Sequence, residues 1–141
     1  MLNYYVPIIV VVAANTLYHI CAKAVPQGVN AFASLIVTYL TAAFISFIIF
    51  LVTSQNKNIL IEVKELNWAS LLLGFSIVGL EFGFLLLYRV GWNISIGSLV
   101  CNIVLAVVLI IVGVLVYKEH ISMNQVIGIA LCIGGLIFIN K

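Results

Sequence analysis

Residues 66–90 read LNWASLLLGFSIVGLEFGFLLLYRV. Between Glu65 and Arg89 a single charge, Glu81, interrupts the run. A bilayer core of about 30 Å needs about 20 predominantly apolar residues to be crossed by a helix. This run is long enough. Its apolar residues are continuous rather than alternating, which suits a spanning helix and disfavours a strand of a membrane barrel.

The same pattern extends outward in both directions. The charges are Lys23, Lys57, Glu62, Lys64, Glu65, Glu81, Arg89, Lys118, Glu119 and Lys141, and the stretches between them are long and apolar. Pro26-Gln27-Gly28-Val29-Asn30 and Gly91-Trp92-Asn93 punctuate the chain as turns. The reading is an all-α integral membrane protein, a single domain over residues 1–141. Its five transmembrane helices are expected at about 4–23, 31–53, 67–89, 95–117 and 122–139.

Composition agrees. Of 141 residues, 65% are hydrophobic and 7% charged, and the mean hydropathy is +1.33. Soluble domains carry roughly 25% charged residues, and a soluble fold of this size has too little interior to hide so much apolar surface. A water-soluble enzyme and a disordered chain are excluded. A net charge of +2, thinly spread, makes no basic patch and excludes a nucleic-acid partner. The lipid bilayer is the expected environment.

The first segment has an Ala22-Lys23-Ala24 sequence like a cleavage site, but it lacks a basic leading region and its apolar run is long. It is expected to remain as a span. Cys21, Cys101 and Cys132 all fall within spans, with no disulfide framework and no metal-ligand spacing. No cofactor and no metal are expected. The longest connection, 54–67, places Ile59, Val63 and Leu66 at helical spacing among Glu62, Lys64 and Glu65. It reads equally as a short helix on the membrane surface or as a plain polar loop.

Orientation follows the Lys/Arg bias between loops. Five spans put Lys57, Lys64 and Lys118 on one side and Lys23, Arg89 and Lys141 on the other. A three-to-three balance is the pattern of dual topology, although small counts also balance by chance. An odd number of spans adds to it. Two odd-span units form an inverted pair, a common transporter plan, and one such unit reaches that architecture by pairing with an antiparallel copy.

Glu81 lies near the middle of the third span. A charge at the bilayer centre costs at least about 2.5–3.5 kcal/mol on insertion scales and normally faces a bundle interior or wet cavity. It can exchange a proton for a cationic substrate, or serve as a structural hydrogen-bond donor. Tyr88 shares its helix face. Gly79 and Gly83, on another face, form a G-x-x-x-G pair suited to close helix approach. Asn15 and His19 on the first span, Ser34, Thr38 and Thr41 on the second, and Ser95, Ser98 and Asn102 on the fourth form polar stripes that could meet Glu81. The candidate substrate- and proton-binding set is Glu81, Asn15, His19, Tyr88, Ser98 and Asn102. No catalytic residue is assigned. The chain has no Asp, and no Ser–His pair of persuasive spacing.

Tyr117-Lys118-Glu119-His120-Ile121-Ser122, then Gln125-Val126-Ile127-Gly128 and Leu131-Cys132-Ile133-Gly134-Gly135-Leu136, resembles the end of an EamA-type repeat of the drug/metabolite transporter superfamily. That repeat has a Gly-Glu-type turn after its fourth helix and glycines in its fifth. Lys118-Glu119 keeps the Glu and replaces the Gly. Tyr4-Tyr5-Val6 through Ala22-Lys23 is similar to the repeat's first helix. The resemblance implies one half-transporter repeat, moving small metabolites or drug-like compounds, completed by an antiparallel second copy. The small multidrug resistance proteins are more distantly similar, and their essential Glu lies in the first helix, where Asn15 stands here. The resemblance therefore hands no role to Glu81. Within the same superfamily, half of a heteromeric lipid-carrier flippase is an alternative, and a non-transporting assembly subunit is another. The expected location is a prokaryotic plasma membrane, with multiple passes.

Overall fold

The computed structural model describes residues 2–55 and 57–139. Lys141, counted above on one membrane face, lies outside the described residues. The described chain is helical: α1 Leu2–Ala24, α2 Ala31–Thr53, α3 Ile59–Glu65, α4 Trp68–Arg89, α5 Ile94–Leu115 and α6 Met123–Ile139. Among the described residues, α1, α2, α4 and α5 are long and apolar enough to cross a membrane. The segment expected as a fifth span is helical as α6, whose 17 described residues fall short of the roughly 20 that a bilayer core asks for.

Asparagine stands at the start of four of these helices, and in three its side chain caps the helix for one physical reason. The first amides of a helix lack an internal acceptor, and a short side-chain oxygen supplies one. Asn30 Oδ1 accepts from the Phe32 amide at 2.9 Å, Asn58 from Leu60 at 3.1 Å and Asn67 from Ala69 at 3.0 Å. α6 opens with a capping box instead. The Ser122 amide donates to Gln125 Oε1 at 2.8 Å, and the Gln125 amide donates back to Ser122 Oγ at 3.4 Å.

The connection 54–67 is partly helix. α3 occupies Ile59–Glu65, with Ile59, Val63 and the following Leu66 all exposed. The plain-loop alternative fails for these residues because Asn58 caps a full turn.

α5 ends two residues earlier than expected, and its terminus shows why. The amides of Tyr117 and Glu119 both donate to Gly113 O, at 3.1 and 3.0 Å. This reversal needs a left-handed residue, and Lys118 supplies it with φ 54. That conformation favours glycine, and Lys118 stands where the resembled repeat carries its Gly. Gly113 is needed for a different reason. A Cβ there would lie 2.7 Å from Glu119 Oε2, so the missing side chain is what lets the Glu119 carboxylate fold back onto α5.

The chain divides into two units, Met1–Val90 and Gly91–Lys141. In the first, α4 packs against both α1 and α2; in the second, α5 packs against α6. Burial is confined to few positions, among them His19, Ala22, Ala31, Leu35, Leu85 and Tyr88 in the first unit. Large apolar side chains such as Leu71 and Phe75 stay about four-fifths exposed, at 81% and 80%, a surface that suits hydrocarbon and not water. The close approach expected at Gly79 and Gly83 is not made among the described residues, since a Cβ at either would meet nothing within 4 Å. Gly128, Gly134 and Gly135 of α6 are equally open.

Candidate functional site

The first unit assembles its polar groups around α4. Glu81, Leu85 and Tyr88 recur at helical spacing, so they share one face. Leu85 and Tyr88 are buried there and Glu81 is half-buried. α1 meets this face with Tyr18, His19 and Ala22, and α2 meets it with Ser34, Leu35 and Thr38.

At one end, the Tyr88 hydroxyl and His19 Nδ1 share a buried 2.9 Å hydrogen bond. Phe84 stands edge-on to both Tyr18 and His19, with ring centroids 5.8 and 4.8 Å away. Lys23 Nζ lies 5.7 Å from the Tyr88 ring centroid, within the range of a cation–π contact. Arg89 Nη2 donates to Val29 O at 2.7 Å. It thereby ties the turn between α1 and α2 to the end of α4.

Two turns away, Glu81 lines a cavity of about 90 Å³ together with Tyr18, Cys21, Ser34, Thr38 and Leu85. This space admits waters or a small polar group. It is well below the roughly 300–1,000 Å³ of a site for a drug-sized ligand. Tyr18 Oη is buried with no hydrogen-bond partner among the described residues, as is Tyr39 Oη of α2. Leaving such a hydroxyl unsatisfied costs about 1–3 kcal/mol. A polar occupant beside Glu81 would relieve that cost at Tyr18.

The expected site residues thus divide. His19 and Tyr88 are bonded to each other, and Glu81 shares their unit and the Tyr88 face of α4. Asn15 is exposed and does not line the Glu81 cavity. Ser98 and Asn102 belong to the second unit. Ser98 spends its hydroxyl on its own helix, donating to Ile94 O at 2.6 Å, a habit of hydroxyls in membrane helices. Thr38 and Thr41 do the same, toward Ser34 O and Val37 O. Asn102 lines a separate cleft between α5 and α6 with Glu119, His120 and Gln125.

Tyr39 and the Arg89 clasp escaped sequence reasoning. Tyr39 falls between Thr38 and Thr41 but off the Ser34, Thr38 and Thr41 spacing, so the stripe drew attention away from it. Arg89 reads as an ordinary basic residue at a helix end.

The EamA-like transporter family model matches residues 2–141. No curated protein and no solved structure matches the chain.

Proposed function

Because the chain belongs to the EamA-like transporter family, we propose that it is a secondary-active exporter of small metabolites or drug-like compounds. It is a multi-pass membrane protein of the drug/metabolite transporter type, and a plasma membrane of a prokaryote is the setting this reading gives it. α6 counts as its fifth crossing.

The observation that carries the reading is Glu81, a carboxylate on a membrane-length helix, lining a small cavity with the orphaned Tyr18 hydroxyl. A charge held there has to be offset by function or by a fixed partner. In this reading Glu81 takes up a proton and releases it as substrate binds. The cavity is too small for an organic substrate within one copy. An antiparallel homodimer completes it, with two Glu81 carboxylates flanking a site near the bilayer midplane. Asn15, His19 and Tyr88, of the same unit as Glu81, are assigned to its lining. Alternating access follows as the two copies exchange roles. The balanced distribution of Lys and Arg supports insertion in both orientations.

The test is flux in liposomes carrying a pH-sensitive dye inside. Panels of amino acids, other metabolites and hydrophobic drugs are applied with and without a pH gradient. Substrate-driven proton movement in the wild type, absent in Glu81→Gln, is the expected result. Uphill flux that Glu81→Gln leaves intact rules out coupling through this residue.

A further inference from the structure

The cleft between α5 and α6 measures about 400 Å³ and is lined by the second unit alone. Its lining along α5 runs from Asn102 to Ile110, about 12 Å of helix. The middle is aliphatic, with Val107, Ile110 and Ile129. At the end near the interhelical turn stands Glu119, whose carboxylate lies against Gly113 of α5. Glu119 is the one carboxylate of the lining, and the lining contains no Lys or Arg. Immediately before it, Lys118 adds the opposite charge on the same turn, its backbone held at φ 54. The turn joins two strongly apolar helices, so it belongs at the headgroup level of a bilayer.

An apolar cleft whose turn end carries the Glu119 carboxylate, with Lys118 next to it in sequence, suits a lipid whose headgroup bears both charges. We propose that the α5–α6 cleft holds a phospholipid with a primary-amine headgroup. One acyl chain lies along the trough, the ammonium sits on the Glu119 carboxylate, and the phosphate faces Lys118. The site is independent of Glu81 and of any transport cycle.

Native mass spectrometry of the purified protein tests this, using phosphatidylethanolamine and phosphatidylglycerol with identical chains. The wild type should retain phosphatidylethanolamine about two- to fivefold better, the ratio that one solvent-edge charge pair supplies. Glu119→Gln should erase the preference while leaving chain-dependent retention. Ala106→Phe, which fills the trough, should lower retention of both lipids. Phosphoethanolamine without chains should not compete. Equal retention by the wild type, a preference surviving Glu119→Gln, retention untouched by Ala106→Phe, or effective competition by the chain-free headgroup overturns the assignment.

Discussion

The Tyr88 hydroxyl, on the last turn of α4, lies 2.9 Å from Nδ1 of the buried His19 on α1. It is a side-chain bond joining two separate membrane-length helices, at a place where both partners are shut away from solvent. Tyr88→Phe keeps the ring contacts and strands the imidazole. Side-chain bonds between membrane helices average roughly 0.6 kcal/mol, and an orphaned buried partner costs about 1–3 kcal/mol. We expect Tyr88→Phe to destabilise the fold by about 1 kcal/mol, measured by SDS-titrated unfolding in mixed micelles.

Glu81→Gln preserves the shape of the side chain and removes its charge. It should leave stability within about 1 kcal/mol of wild type, or raise it, since a charge near the bilayer centre is costly. Substrate-driven proton movement should vanish. The pair of measurements separates a coupling role from a structural one. A structural hydrogen-bond donor would be replaced in kind by the Gln amide, with stability and flux both retained.

Lys118 holds φ 54 without being glycine. A left-handed backbone costs a residue with a Cβ about 1–2 kcal/mol. Lys118→Gly should therefore stabilise the turn after α5 by about 1 kcal/mol. A shift to higher denaturant midpoint, absent in Lys118→Ala, is the expected signature.

Gly113 and Glu119 should behave as a coupled pair. Gly113→Ala alone drives a methyl to within 2.7 Å of Glu119 Oε2 and forces the carboxylate off its seat. In a Glu119→Ala background the same change meets no obstacle and gains about 1 kcal/mol of helix propensity. A double-mutant cycle should return a coupling of at least about 0.5 kcal/mol.

Dual orientation has its own readout. Reporters fused after residue 141, one active inside the cell and one outside, should both be active. Adding Lys beside Lys57 and Lys64 should drive the population to one orientation, and export should fall with it. Activity of a single reporter in the wild type would point to a fixed topology and to a heteromeric partner.

Much of this architecture was legible because apolar runs and charges are coarse signals. α2 begins and ends where the spacing of Pro26, Gly28 and Asn30 from the next polar run placed it. α1, α4, α5 and α6 agree to within two residues at each end. The early end of α5 was not legible, because nothing in Val116-Tyr117-Lys118 announces a left-handed Lys. In the candidate site, periodicity put Glu81 and Tyr88 on one face, and the His19 bond to Tyr88 confirms that this face meets α1. Periodicity could not tell a hydroxyl aimed at a neighbour, such as that of Tyr88, from one turned onto its own helix, as those of Ser98 and Thr38 are. Nor could it relate Ser98 and Asn102 to Glu81, since they fall in a different unit.

The described length of α6 matters beyond the fold in the five-span reading proposed above. Its 17 residues rise about 25 Å, several ångströms less than the hydrocarbon thickness of an average bilayer. As a crossing segment in that reading it would make membrane thickness a thermodynamic variable for this protein, with each ångström of mismatch worth a fraction of a kcal/mol. Lipids with short acyl chains then act on it much as a stabilising solute acts on a soluble enzyme. The same sequence would hold its last helix more firmly in a thin membrane than in a thick one.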